Sequence, residues 1–151
     1  MGRVQIREAS QRDLSIIVDF NQAMALETEA LRLERHTLTL GVRALLRDRA
    51  KGFYLVAERE GRLVGQVMVT YEWSDWRNGD WWWLQSVYVA PDARRSGVFR
   101  ALYAAVAARA RRARARGLRL YVEKQNVRAQ RTYVSLGMRE ARYRLFERGR
   151  E

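Results

Sequence analysis

The chain opens with an alternation, Val4-Gln5-Ile6-Arg7, that has the two-residue period of a half-buried strand. Ser10, with Asp13 three residues on, then stands as an N-cap before a helical run over residues 11–26, where Leu14, Ile17, Val18 and Met24 fall near helical spacing. A second helix is predicted over residues 37–49, closed by Lys51-Gly52. Strand patterns follow. Residues 53–57 and 63–71 flank a Glu60-Gly61 turn and read as a hairpin. Residues 73–80, with Asn78-Gly79, read as a polar connection. Residues 81–89, WWWLQSVYV, form the most apolar strand candidate, the pattern of a central strand covered on both faces. Farther on, Phe99, Leu102, Tyr103, Val106, Ala110 and Ala113 make a helical apolar stripe, and Gly117 takes the C′ position that ends the helix. Residues 118–122 read as a strand, 126–136 as a short helix ending at Gly137, and 142–146 as a last strand. This order predicts a mixed α/β sheet with helices on its faces, in which residues 81–122 form a right-handed crossover between parallel strands.

Composition narrows the chemistry. A length of 151 residues fits one domain, spanning 1–151, and 48% hydrophobic residues suffice to bury a core. The absence of Cys excludes disulfides, thiolate metal sites and a Cys nucleophile, and His36 is the only histidine, so no metal site is expected. Neither a secretory leader nor an apolar segment of about 18 residues is present, which makes a soluble cytoplasmic protein with no membrane partner the expectation. The formal charge is +12, and only Lys51 and Lys124 among the 29 basic residues are lysines. That excess favours anionic partners such as nucleic acid or a phosphate-bearing cofactor.

Between the apolar strand and the long helix lies Ala93-Arg94-Arg95-Ser96-Gly97-Val98-Phe99-Arg100. The first amides of a helix point outward without intrahelical acceptors, and with the helix dipole they attract anions. Gly97 permits close approach to the backbone, and Arg94, Arg95 and Arg100 add charge. Two readings stand at this level, a phosphate cradle and an ordinary strand-to-helix turn with solvated arginines. Phe99 occupies a position where such a loop ordinarily has a small residue; as the start of the apolar stripe, its side chain is expected to anchor in the core.

With the preceding strand SVYV-AP, this layout resembles the acyl-CoA-binding motif [Q/R]-x-x-G-x-[G/A] of the Gcn5-related N-acetyltransferase superfamily. A second match lies downstream, where Asn126-x-x-Ala129-x-x-x-Tyr133-x-x-x-Gly137-Met138 resembles the N-x-x-A-x-x-x-Y-x-x-x-G-[F/M] helix of that family. The resemblance implies a mixed, mostly antiparallel sheet flanked by helices, with one central, splayed pair of parallel strands. It also implies acetyl-CoA as co-substrate. The pantetheine arm would pair with backbone near Val87 and Val89, and the pyrophosphate would meet the turn of Arg94, Arg95, Ser96, Gly97, Val98, Phe99 and Arg100. Asn126 would hold the arm and Tyr133 would protonate the departing thiolate.

Many family members have a Glu on the strand before the turn, but this chain has none, and Gln85 is not a base. Glu27, in the region between the first two helices, and Glu72, at the end of the second hairpin strand, are therefore the candidate catalytic carboxylates; Glu29, Asp75 and Glu123 are further acids of the region. Trp73 and Trp76, in what reads as a polar loop, are expected to wall the acceptor pocket or to staple the loop. Arginines 109, 111, 112, 114, 116 and 119 mostly avoid the apolar stripe, as a solvated face does, so specific nucleic-acid binding is not expected. The resulting expectation is an acetyl-CoA-dependent N-acetyltransferase acting on a primary amine of a small molecule or peptide. A sensor that binds acyl-CoA without turnover and an arginine-rich nucleic-acid-binding module are the alternatives. Homodimers are common in the family.

Overall fold

The computed structural model describes residues 2–150, and the chain divides into two compact units, one ending at Tyr121 and one beginning at Val122. In the first unit β1 (Gln5–Glu8) leads through a 3-10 turn (Gln11–Asp13) into α1 (Leu14–Glu29) and α2 (Arg35–Arg47). Then come β2 (Gly52–Arg59), β3 (Arg62–Ser74), β4 (Gly79–Val89), α3 (Val98–Arg112) and β5 (Gly117–Leu120). The sheet order is β1-β2-β3-β4-β5, antiparallel except for the parallel pair β4–β5. This is the expected mixed, mostly antiparallel architecture with flanking helices.

Period-two alternation sends Phe53, Leu55 and Ala57 of β2 into a core beneath α3, while Tyr54 and Val56 face Ile17, Val18, Val42 and Leu45 of α1 and α2. The strands buried on both faces are thus β2 and the first part of β3 rather than the tryptophan-rich β4, in which only Trp82, Leu84 and Tyr88 are buried. The cluster under α1 and α2 does not include Trp81, Trp83 or Gln85, which stay half-buried on that face.

Several boundaries depart from the sequence pattern for identifiable reasons. α2 starts at Arg35 because the Glu34 carboxylate caps it, accepting from the amides of His36 (3.0 Å) and Thr37 (2.6 Å). Gly52 opens β2 instead of closing that helix. The second hairpin is longer than its polar sequence suggests, since Trp73 pairs with Asp80 and only residues 75–78 connect the strands. α3 ends in a left-handed Arg114 with the Ala115 amide bonded to the Ala110 carbonyl, so Gly117 is not its C′ residue. Gly117 instead lies in β5, where a Cβ would come within 2.3 Å of the Trp81 ring.

The second unit, described by itself, holds α4 (Val127–Ser135). Gly137, at φ 92°, closes it in a Schellman arrangement: the Met138 amide donates to the Tyr133 carbonyl and the Gly137 amide to that of Val134. Residues 142–146 have strand alternation but form no strand. Among the described residues nothing pairs with them, a lone strand gains no ladder bonds, and Phe146 is 90% exposed.

Candidate active site

Pairing between β4 and β5 begins at Trp81 with Gly117 and stops at Leu84 with Leu120. Beyond that point β5 ends and β4 continues to Val89 along β3, so the edge of β4 that faced β5 is a wedge of strand with no ladder partner among the described residues. A bulge lies within this open stretch. Ser86 has φ 50°, and the register against β3 shifts between Gln66 and Met68. The extra residue reverses the alternation, so Val87 and Val89 pack toward the α3 core while Tyr88 turns toward α1. Gln66 holds the bulge by donating from Nε2 to the Ser86 carbonyl at 3.0 Å. It is the one polar side chain in the run LVGQVMV and is fully buried, and its Oε1 has no hydrogen-bond partner. Sequence reasoning missed this residue; a glutamine isolated among strand valines was the available signal.

After Val89 a 3-10 turn (Pro91–Ala93) carries the chain to a left-handed Arg95 (φ 61°) and to Gly97 (φ 84°), which is the N-cap of α3. The first backbone bond of the helix runs from the Ala101 amide to the Gly97 carbonyl at 3.0 Å, so the amides before it point out of the helix start. Arg95 and Arg100 are exposed. Ser96 is tied internally, donating to the Ala93 carbonyl and accepting from Arg59 at 3.1 Å. The core anchor of the helix start is Val98, 1% exposed, followed by Leu102, Val106 and Ala110. Phe99 is only half-buried, 6.2 Å from the Tyr103 ring, which corrects the expectation that its side chain is the anchor. Val98 lies one turn before Leu102 and so leads the buried i, i+4 row in place of Phe99.

The two carboxylates singled out from the sequence are both held. Glu27, near the end of α1, accepts from the Tyr88 hydroxyl (3.1 Å) and from Arg94 Nη2 (2.6 Å), and Arg94 Nε also donates to the Val89 carbonyl at 3.0 Å. Arg94 lies 5.5 Å from the centre of the Tyr88 ring. Burial, and then the hydrogen bond and charge of Glu27, push the Tyr88 phenol above its usual pKa. Glu72, on β3, accepts from Trp83 Nε1 (2.8 Å) and Arg119 Nη1 (2.9 Å). Arg119 lies 3.9 Å from the centre of the Trp81 ring, and the Trp83 and Tyr121 rings are 4.5 Å apart. Pairing puts Thr70, Glu72, Trp81, Trp83, Gln85 and Arg119 on one sheet face. Trp73 falls on the opposite face, and Trp76, 90% exposed, sits on the hairpin loop, so neither joins the Glu72 cluster.

In the second unit Asn126 caps α4, its Oδ1 accepting from the Ala129 amide at 3.2 Å. The carbonyl end of that side chain is thereby committed, and its Nδ2 is the end suited to a ligand. Burial pushes the Tyr133 phenol above its usual pKa, which keeps it a proton donor at neutral pH. Among the described residues no group of three or more His, Cys, Asp or Glu could hold a metal ion, and no helix is long and apolar enough to cross a membrane.

The family model described as "Acetyltransferase (GNAT) family" matches residues 17–138, a span running through both units. A crystal structure of a possible acetyltransferase from Clostridium difficile 630 is 45% identical, with a TM-score of 0.92 and 98% of each chain covered. A probable acetyltransferase at 23% identity has a TM-score of 0.85, covering 97% of this chain and 98% of that one. A protein described as a predicted acetyltransferase with acetyl-CoA, from Clostridium acetobutylicum, is 15% identical with a TM-score of 0.81, covering 97% and 96%. The last two likenesses concern the fold alone. No curated protein matches the sequence.

Proposed function

This chain belongs to the acetyltransferase (GNAT) family, and from that premise we propose that it transfers the acetyl group of acetyl-CoA to a primary amine by direct attack on the thioester. The observation that carries this reading is the wedge where β5 leaves β4 at Leu84, continued by the Arg94–Arg100 turn. The pantetheine arm pairs with the open edge of β4 near Val87 and Val89, as an added strand would. The pyrophosphate meets the outward amides of the Arg95–Arg100 segment, with Arg94, Arg95 and Arg100 supplying charge around Ser96, Gly97, Val98 and Phe99. Laid back along β4 from that turn, the arm brings the thioester to the apex of the wedge.

The acceptor must attack as the neutral amine, which at pH 7 costs about 4–5 kcal/mol for a pKa near 10.4. Glu27 and Glu72 already accept at both oxygens, and taking the proton would break an ion pair with Arg94 or Arg119. The proton therefore leaves to solvent, and the two carboxylates act by holding the groups around the reacting centre. Nitrogen forms its bond to the carbonyl carbon while the oxyanion is met by a backbone amide near Val87. The C–S bond then breaks, the thiolate takes the proton of Tyr133, the nitrogen sheds its extra proton to solvent and the Tyr133 phenolate regains one from it, with Asn126 holding the arm.

Substitution of Tyr133 by Phe tests this reading. It is expected to lower kcat by roughly a hundredfold while leaving the acetyl-CoA Kd within about twofold, the scale of a lost general acid. Unchanged kcat removes Tyr133 from the mechanism.

A further inference from the structure

The face that carries Glu72 holds the elements of a cation receptor, namely a carboxylate and an open indole face, and one residue occupies both. Arg119 Nη1 bonds Glu72 Oε2 at 2.9 Å, and the same guanidinium lies 3.9 Å from the centre of the Trp81 ring. Arg77 approaches that ring as well, at 5.3 Å. The other Glu72 oxygen accepts from Trp83, whose ring lies against the half-exposed ring of Tyr121. Two cations thus approach the one indole and one of them pairs with the carboxylate, in a chain whose formal charge is +12. What this leaves for a ligand is the Trp83–Tyr121 ring pair, its planes inclined by 36° and Tyr121 56% exposed, beside the point where β4–β5 pairing stops, with Gln85 tied to Thr70 at 2.7 Å on the same face.

We propose that Arg119 is a specificity-determining residue that excludes polycationic acceptors, and that the acceptor is an amine with a flat apolar body and a single basic centre. This rests on the reading that the thioester is presented at the wedge. An amine of this kind packs its body against the Trp83–Tyr121 pair and arrives in the neutral form that attacks, making no demand on Glu72. A polyamine or an aminoglycoside must place several ammonium groups in a field that is already positive. The two contacts that would compensate it, carboxylate and indole face, are taken by Arg119. Arg119 touches neither sulfur nor amine nitrogen in this account; it acts through Glu72 and Trp81.

The test is an acceptor panel with thiol release from acetyl-CoA as readout, using phenethylamine, spermidine and tobramycin. For the native protein, kcat/KM for phenethylamine is expected to exceed that for either polycation by about tenfold or more. Arg119→Gln should raise kcat/KM for spermidine by about tenfold, with a smaller change for phenethylamine, because it releases the carboxylate and the indole together. Should that variant fail to fold, Glu72→Gln, which keeps an acceptor for Trp83 and leaves Arg119 unneutralised, should widen the native preference by about threefold. A native preference for polycations, no turnover of phenethylamine, or a preference ratio within twofold of native in both variants overturns the proposal. Failure of acetyl-CoA to bind in calorimetry, by contrast, overturns the wedge reading on which it rests.

Discussion

Two clusters, Glu27–Tyr88–Arg94 and Glu72–Trp83–Arg119, are built to one recipe. In each a carboxylate accepts from an aromatic donor and from an arginine. They differ in what carries them. The first joins the end of α1 to the turn after β4, and its arginine also holds the Val89 carbonyl, where the cofactor arm is proposed to pair. The second lies on three adjacent strands, with its arginine 28% exposed against 45% for Arg94. A more exposed arginine on a turn is cheap to release, because an exposed pair contributes little, whereas one stacked on an indole within a sheet is fixed in place. The same chemistry thus ties a helix end to a turn in one cluster and ties three strands of the sheet together in the other.

That contrast can be broken at several points. The largest effect is expected from Tyr133→Phe. Its roughly hundredfold loss in kcat should exceed that of removing either carboxylate, since neither takes the reacting proton. If Glu27→Gln or Glu72→Gln costs more in kcat, one of the clusters is the base. Arg94→Gln is expected to raise the acetyl-CoA KM by about threefold to tenfold, in a salt-dependent manner, and to leave the order of acceptors unchanged. A fall in KM would mean that Arg94 chiefly obstructs Val89. Arg119→Gln should do the reverse, moving acceptor preference and not the acetyl-CoA KM.

Stability separates the two sides of the turn. Val98→Ala should cost about 2 kcal/mol in denaturant unfolding and Phe99→Ala clearly less, because only Val98 is fully buried. Equal costs would restore Phe99 as the anchor. The smallest effect concerns pH. The phenols of Tyr54, Tyr88 and Tyr133 are all raised above their unfolded value of 10.0, chiefly by burial. Groups raised in this way contribute stability that is complete below pH 10 and is lost as pH climbs through the folded values. A melting temperature that is flat from pH 7 to 9 and declines above about 10 is expected. A decline beginning near pH 8 would mean that at least one phenol is not shielded.

The sheet was legible in the sequence because its signals are local. Strand alternation, the Glu60-Gly61 turn and the motif glycines each act within a few residues. The glycines show where such reading stops. Gly137 ends its helix as its position suggested, and Gly97, read for close approach to the backbone, is left-handed as well, but Gly117 owes its identity to Trp81 on a neighbouring strand, a contact with no local trace. Burial of β4 was overestimated for a similar reason: an apolar run cannot tell core from an uncovered face. The candidate site divides the same way. Motif spacing picked out the turn, Asn126 and Tyr133, whereas the arginines bound to Glu27 and Glu72 lie 67 and 47 residues away in sequence. Gln66, buried at the bulge, was passed over because a single polar residue in a strand leaves its partner undetermined.

The central claim is that acetyl passes directly from acetyl-CoA to an amine with both present at the wedge. Initial rates measured over a grid of acetyl-CoA and phenethylamine concentrations test it most directly. Direct attack predicts double-reciprocal lines that intersect, with no acetyl group retained on protein incubated with acetyl-CoA alone. Parallel lines, together with an acetylated protein that turns over when amine is added, would show a covalent intermediate and contradict the account.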